Sequence, residues 1–505
     1  MPIAAIIGKE NNDVSGQIVE MLDVMKNNKR VFNVATCNEF ATSEDVSSPN
    51  LTEAKMAIGN SRFHYEEGGP TSPLSMDRTS GVVLALSGHI NNTGTRAGCR
   101  THNRRLLANL IEGKMRIVKD LSKAVQLVLP TLYGVFSVIV MMGGRIAVTK
   151  DVFGFEPLYW GENERYIAFA SERKALWTIG LRDLNFPPGH VAMIDGQGSK
   201  TFFKVMALKR PQIVDINVRD AANKLCEMLK KILLRDFRET KEVGLLFSGG
   251  IDSSLLAKIS RDAGIPVTLY GAAVEEAHDV AVIKDSASDL GCKLRMRILS
   301  TDEIEGYVYK TIWTVEEGNL MQVGVGLPIY AALEVAKSDG LRCVFSGQGA
   351  DELFGGYSRY RRIIQDGHER LYDEMWNDVA TIAEGNLQRD YAIAMANNVN
   401  YYSPFLNLEV VNLAMSLPAI LKVNGPEDML RKHVLREAGR KVNLPDNIVY
   451  RPKKAAQYSS GAYKAIRRLA SREGKRPREY IKYVYEKIFR QYHGSKGELL
   501  NLRST

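Results

Sequence analysis

Two short runs of small and acidic residues carry the strongest chemical signal in this chain. Ser248-Gly249-Gly250-Ile251-Asp252-Ser253-Ser254 follows the apolar run Val243 to Phe247 and precedes an apolar helical pattern. Two glycines let the backbone turn tightly and bring N–H groups against an anion. The hydroxyls of Ser248, Ser253 and Ser254 and the helix N-terminus would add donors and positive potential. Pyrophosphate is the natural occupant of such a loop. A plain turn with an Asp cap would read the same in isolation, but the setting between a buried strand and a helix favours the nucleotide. The Walker pattern is absent, and no lysine stands where it would reach the β and γ phosphates, so the expectation is cleavage between the α and β phosphates. The second run, Ser346-Gly347-Gln348-Gly349-Ala350-Asp351-Glu352-Leu353-Phe354-Gly355-Gly356-Tyr357, follows the strand pattern Arg342 to Phe345. Both loops then lie at the carboxyl ends of parallel strands, where open α/β sheets bind ligands. Asp252 and Asp351 would there offer hard oxygen ligands to a Mg2+ bridging the phosphates. An acid pair at a helix start is favoured in any case, but two acid-bearing loops at one cleft are less easily dismissed.

The elements that must position these loops are legible as patterns. From about Val214, amphipathic helices alternate with short buried strands. A helix is expected near Ala221 to Asp236, strands at Val243 to Phe247, Pro266 to Tyr270 and Leu294 to Ile298, and helices from Ser253 and about His278. That alternation predicts a parallel sheet with helices on both faces. After about Arg359 the chain reads as almost wholly helical. The first two hundred residues instead hold short β-type runs between Gly, Asn and Pro turns: Ile3 to Ile7, Val82 to Leu86, Phe136 to Met141, Arg145 to Thr149, Tyr166 to Ala170 and Val191 to Ile194. These predict packed antiparallel sheets. A boundary falls near Val205 to Val214, giving an N-terminal domain of residues 1–207 and a C-terminal domain of residues 208–505.

The second half resembles the asparagine synthetase family, a branch of the PP-loop ATP pyrophosphatases, whose signatures are SGGxDSS and SGEGADELFGGY. The likeness continues through Asn386-Leu387-Gln388-Arg389-Asp390, Met395-Ala396 and Ser403-Pro404-Phe405-Leu406 to Arg451-Pro452-Lys453, covering about Glu242 to Gly461. The resemblance implies an adenine nucleotide α-hydrolase-like parallel sheet with an all-helical lobe, using ATP and Mg2+. It implies that Phe247 and Tyr270 flank the adenine, that Ser346 and Gly347 lie by the α-phosphate, and that Lys453 stabilises charge as pyrophosphate departs. The last role is sound physically, because a phosphoryl-transfer transition state needs cations aimed at its oxygens. A lysine in a basic region is otherwise a surface residue. Two departures bear on the substrate. Gln348 replaces the family's Glu and cannot act as a carboxylate base. The segment Asn398 to Asn407 replaces one that carries an acid, an Arg and an Asp in the family.

The first half resembles a class II glutamine amidotransferase, which implies an N-terminal-nucleophile αββα sandwich. The matching parts are Gly134-Val135-Phe136, Lys150 to Tyr159, Ala168 to Leu176 and Pro188-Gly189. Those parts carry fold. In that family the nucleophile is a terminal Cys exposed when Met is removed. Here residue 2 is Pro, the family's NGE reads Ser87-Gly88-His89, and its S-D-T-E region reads near Thr101-His102-Asn103. Arg62 alone matches an arginine that would grip the glutamine carboxylate. His89 and His102, read as isolated turn residues, favour no metal site.

Composition sets the remaining bounds. Of 505 residues, 45% are hydrophobic and 25% charged, as in ordinary globular proteins. No apolar stretch reaches the roughly 20 residues that span a bilayer, and Met1 to Ile7 lacks the form of a signal peptide, so a cytoplasmic protein is expected. Five scattered cysteines without a CxxC pair indicate neither disulfides nor zinc. The net charge of +9 sits largely in residues 464–505, with twelve Lys and Arg against four Glu. That tail could meet a nucleic acid, but Tyr480, Tyr483, Val484, Ile488 and Tyr492 recur at helical spacing and favour a solvated helix docked on the domain. The resulting expectation is an ATP-dependent ligase that adenylates a small carboxylate, aspartate by family precedent, and amidates it with ammonia rather than glutamine. Two rivals keep parts of this: the same adenylation with another acid or amine, and a lapsed paralogue with a regulatory role. The first domain could also serve as a homodimer contact.

Overall fold

The structure is a computed structural model. It describes residues 2–25, 30–36, 40–43, 51–63, 74–76, 81–90, 100–237, 240–452, 459–490 and 492, a few of them by backbone alone. Two compact units divide the chain: residues 1–208 together with 487–505, and residues 209–486. The last described helix is Pro477–Phe489. No single helix among the described residues is long and apolar enough to cross a membrane.

In the first unit two antiparallel sheets are layered between helices. One runs in the order Leu184–Asn185, Tyr159–Glu162, Tyr166–Ala170, Ile3–Gly8, Met56–Phe63, Arg30–Thr36, Phe40–Ser43. The other runs Lys200–Lys204, His190–Asp195, Arg145–Lys150, Gly134–Met142, Val83–Ile90, Leu74–Met76. The period-2 geometry of a strand explains the layering. Ile3, Ala5 and Ile7 join Ile139, Ile146 and Val148 in a core between the sheets. Ala4 and Ile6 face the other way and pack with Ile18, Met21, Leu22 and Leu176 from the helices Ser15–Val24 and Arg173–Thr178. On the far sheet Leu84, Leu86, Val138 and Val140 meet Leu107, Ile111, Leu121 and Val125 from Arg100–Val118 and Leu121–Val128. Strands buried on both faces read as continuous apolar runs, and the result is the expected αββα sandwich.

The second unit is built on a five-stranded sheet, all parallel, in the order Lys293–Leu299, Val267–Val274, Val243–Leu246, Cys343–Phe345, Asn400–Tyr402. Val243 and Leu245 at its centre are fully buried. The helix Val218–Phe237 buries Ala222, Leu225, Leu229, Ile232 and Leu233 at helical spacing, and its Phe237 stacks on Phe345 at 5.4 Å. The described region after Arg359 is helical as expected but for one short strand. Asn400–Tyr402 pairs in parallel with Cys343–Phe345 and adds an edge strand. Three residues are too few for a strand pattern to stand out from flanking helices.

Candidate active site

Strand order places the site. Chain order runs outward from Val243–Leu246 through Val267–Val274 to Lys293–Leu299, then returns to the other side of Val243–Leu246 with Cys343–Phe345. The two glycine loops leave the carboxyl ends of these two adjacent strands, at the topological switch point where such sheets bind ligands.

In the first loop Gly249 has φ +71°, and a Cβ there would lie 2.9 Å from the Val282 carbonyl oxygen, so glycine is required. The Gly249 carbonyl accepts from Arg451 Nη1 at 2.8 Å and from Ser286 Oγ at 3.3 Å. Gly250 is the N-cap of the helix Ile251–Asp262 and offers no side chain, which leaves the first N–H groups of that helix facing the loop. The serines divide in a way the sequence did not indicate. Ser248 is exposed at the turn. Ser253 is buried, receives the Ser248 N–H at 3.4 Å and donates to the Gly250 carbonyl at 3.3 Å, so it closes the loop on itself. Ser254 is wholly buried, one helical position on, facing the interior. Of the three hydroxyls expected as donors, Ser248 is thus exposed, Ser253 is turned to the loop backbone and Ser254 is buried.

The second loop is braced from behind. Ser346 Oγ lies 2.6 Å from the Tyr401 hydroxyl and accepts the Gln348 N–H at 3.2 Å. The Tyr401 hydroxyl also donates to Asp390 Oδ2 at 3.2 Å. Asp390 and Arg389 form a buried pair, and Arg389 reaches Gln322 and Asn386 at 3.1 and 3.3 Å. Asn386 and Tyr357 in turn donate to Glu352, a buried carboxyl whose pKa burial pushes up. Ser346, expected beside the α-phosphate, thus has its hydroxyl engaged by this scaffold. Gly347 marks how closely the two loops approach, since a Cβ there would sit 2.9 Å from the Asp252 Cβ. Tyr270, expected beside the adenine, is engaged as well. Its ring is buried, and its hydroxyl donates to Asp339 Oδ2 at 2.9 Å, at the residue that ends the helix Leu320–Ser338 ahead of the Cys343 strand. The Tyr270 backbone stands level with Leu246, and its carbonyl accepts the Phe247 N–H at 2.8 Å just ahead of the first loop. Phe247, at the strand end, is buried.

Asp252 and Asp351 come together on a residue that sequence reasoning missed. Lys432 Nζ lies 2.7 and 2.6 Å from the two Asp252 oxygens and 2.6 Å from Asp351 Oδ1. The lysine side chain is 1% exposed while the two carboxylates are 20% and 22% exposed, so the ammonium sits beneath them. Burial pulls its pKa below the ordinary lysine value, and Asp252 and Glu352 pull it back up. A built backbone holds it there. Arg431 and Lys432 both take positive φ, 52° and 55°, and Lys432 is the N-cap of the helix His433–Lys441. Asp428 caps the preceding turn, accepting from the N–H groups of Asn424 and Arg431 and pairing with His433. The buried Arg436 guanidinium ties the carbonyls of Leu430, Arg431, Val449 and Arg451 to one another. A Cβ on Gly356 would fall 1.7 Å from Asp351 Oδ1 and 2.5 Å from Lys432 Cε, so glycine clears the lysine's path. The signal that could have found Lys432 is electrostatic. Arg431-Lys432-His433 heads a helix, where the dipole disfavours cations, so a lysine there needs another reason. Lys453 lies outside the described residues, two positions beyond Arg451.

The Mg2+ expectation can be tested against this donor set. Among the described residues no group of three or more His, Cys, Asp and Glu side chains could hold a metal. Two carboxylates fit Mg2+ only in its usual role, with one or two protein oxygens and the rest supplied by phosphates and water. Asp252 and Asp351 meet that description.

In the first unit the residues expected at a glutamine site are occupied otherwise. Pro2 is buried at the head of the first strand, its carbonyl accepting the Ser61 N–H at 3.2 Å. Ser87 is buried and donates to Glu156 Oε2 at 2.9 Å. Gly88 has φ +91° within the strand Val83–Ile90, and His89 is in that strand too, while His102 is in the helix Arg100–Val118. The two histidines are therefore not turn residues; a positive-φ glycine inside a strand imitates a turn in sequence. The side chains of Arg62 and His102 lie outside the described residues.

Comparison with known proteins agrees with this layout. A family model described as asparagine synthase matches residues 224–366 and 363–498, and one described as a glutamine amidotransferase domain matches residues 65–178. A protein of Methanocaldococcus jannaschii provisionally named asparagine synthetase (glutamine-hydrolyzing) 1 is 36% identical over 396 residues, covering 69% of this chain and 73% of that one. Asparagine synthetase (glutamine-hydrolyzing) 3 of Arabidopsis thaliana is 25% identical over 330 residues, covering 62% of this chain and 55% of that one. A solved glutamine phosphoribosylpyrophosphate amidotransferase from B. subtilis, in complex with ADP and GMP, is 18% identical with a TM-score of 0.35, covering 55% of this chain and 67% of that one.

Proposed function

This chain belongs to the asparagine synthetase family, and from that premise we propose that it uses ATP to adenylate a small carboxylate and then amidates the acyl-adenylate with ammonia. The observation that carries the reading is the convergence of Asp252, Asp351 and Lys432 where the two glycine loops meet. In the first half-reaction a substrate carboxylate oxygen bonds to the α-phosphorus while the bond to pyrophosphate breaks. The N–H groups at Gly250 and the helix start would hold the phosphate chain, and Lys432 and Lys453 would offset negative charge as pyrophosphate leaves. Asp252 and Asp351 would hold Mg2+, which when bound draws charge from the phosphate oxygens. In the second half-reaction ammonia bonds to the acyl carbon, loses a proton and expels AMP. Gln348 stands on the loop between Gly347 and Gly349 and can orient a reactant by hydrogen bonds but not take up that proton as a carboxylate would.

Ammonia is favoured over glutamine because Pro2, at the head of the first strand, carries no thiol, and because Ser87 is committed to Glu156. Aspartate is the leading acid by family precedent. A second reading keeps the adenylation and changes the acid. It is favoured by Tyr401, whose hydroxyl links Ser346 to Asp390 within the segment where the family carries charged residues. A mass-spectrometric product assay with ATP, Mg2+, aspartate and either ammonia or glutamine tests the first reading. ATP–pyrophosphate exchange over a panel of acids separates the two, and failure to bind ATP in a calorimeter would turn the case toward a lapsed paralogue.

A further inference from the structure

We propose that Lys432 is a resident counter-cation: it holds Asp252 and Asp351 in the free protein and releases them to Mg2+ only when a nucleotide's phosphates arrive to take its charge. The inference rests on the nucleotide reading above, and it goes further by making metal binding conditional on nucleotide.

Three features support it. First, one ammonium contacts both candidate metal ligands at 2.6–2.7 Å, so a divalent cation bridging those carboxylates must share them with a positive charge or displace it. Like charges a few ångströms apart repel strongly in a partly buried site. Second, the exposures are asymmetric. The Asp252 and Asp351 side chains keep part of their surface open while the lysine is buried and meets Asp351 at the buried Oδ1, so the ammonium holds the carboxylates from their inner side and a metal would approach the surface they leave open. Third, the backbone that carries Lys432 is pinned by Asp428 and Arg436, whereas its side chain runs over Gly356. Motion is thereby assigned to the four-carbon stem and not to the loop. A polyphosphate entering the loops brings several negative charges. The ammonium can pair with these while the carboxylates turn to the metal, and the exchange leaves no buried charge unpaired.

The test uses Mn2+ as a spectroscopic substitute for Mg2+ and the purified full-length protein. The wild type should bind Mn2+ at least tenfold more tightly with a non-hydrolysable ATP analogue than without it. Lys432→Met should bind Mn2+ without nucleotide at least tenfold more tightly than the wild type, and Asp252→Asn added to it should remove the gain. Lys432→Arg, which keeps the charge, should behave as the wild type does. Equal nucleotide-free affinity in wild type and Lys432→Met overturns the proposal. Should Lys432→Met fail to fold, the wild type still decides, because Mn2+ binding as tight without the analogue as with it overturns the proposal alone. ATP–pyrophosphate exchange on the same preparation is scored separately: its absence sinks adenylation, whereas unaltered metal binding with exchange intact sinks only the counter-cation.

Discussion

Asp252 and Asp351 in the second unit, and Asp151 and Glu156 in the first, are acids close to glycine-bearing turns, yet they finish with different kinds of partner. Asp151 is buried and accepts from the N–H groups of Phe136, Phe153 and Gly154; Glu156 is buried and accepts from the Ser87 hydroxyl. The backbone donors of Asp151 belong to the fold and cannot leave without breaking it, and Glu156 is held by a hydroxyl that is buried with it. Asp252 and Asp351 are partly exposed and are held by a flexible ammonium. A carboxylate satisfied by backbone is structural, whereas one satisfied by a side-chain cation at an open loop can change partners. By this measure Asp151 is an acid of the fold, and Asp252 and Asp351 are the acids free to take the part in ATP chemistry proposed for them.

The sharpest way to break the comparison is Asp351→Asn. It should lower ATP–pyrophosphate exchange by about a thousandfold, since metal and electrostatic contacts in such sites contribute several kcal/mol to the barrier. The melting temperature should stay near that of wild type, because Asp351 is partly exposed. Exchange at wild-type rates with the same acid would return Asp351 to the class of structural acids.

The next largest effect concerns nitrogen. Amide formed with ammonia should exceed that formed with glutamine by at least about a hundredfold, because removal of a catalytic nucleophile typically costs that much or more. Ammonia release from glutamine, persisting after contaminating glutaminases are excluded and lost on mutation of Arg62, would show that the first unit retains chemistry.

A smaller effect tests what each unit tolerates inside. Lys422 is fully buried, its ammonium meets Met415 Sδ at 3.9 Å among the described residues, and burial lowers its pKa to about 7. The unfolded chain holds this proton up to about pH 10.5, so between pH 7 and 10.5 unfolding takes up a proton and stability rises with pH. Below about pH 7 the folded state carries the full penalty. The shift sets an upper bound of roughly 5 kcal/mol, and after local relaxation Lys422→Met should stabilise the protein by about 2 kcal/mol at pH 7 and flatten that rise. Chemical denaturation of both proteins at pH 7 and pH 10 measures this. A destabilised Lys422→Met would mean that the lysine has an anionic partner.

The smallest effect falls in the first unit. Gly88→Ala places a Cβ 2.0 Å from the Val135 carbonyl oxygen at φ +91° and should destabilise that unit by about 1–3 kcal/mol. Exchange should not change. Gly356→Ala, with its Cβ against Asp351 and Lys432, should instead lose exchange. If the two variants behaved alike, the division of packing from chemistry between the units would not hold.

Much of this protein is written in local pattern. Continuous apolar runs such as Ile3 to Ile7 announced buried strands, and strand–glycine–helix order at Val243 to Ser254 announced an anion loop, because both depend on residues a few positions apart. The residues alone also gave the family resemblance. Partnership across the fold was not legible. Ser253 and Ser254 read as phosphate donors, yet a helix of 3.6 residues per turn rotates them inward. Tyr270 read as an adenine contact, yet Asp339, 69 positions away, claims its hydroxyl. The three-residue strand Asn400–Tyr402 exists only because Cys343–Phe345 offers it an edge. Lys432 meets Asp252 across 180 positions of sequence. No local rule pairs them; the parallel sheet does, by bringing two loop ends side by side and leaving their carboxylates a common charge to answer.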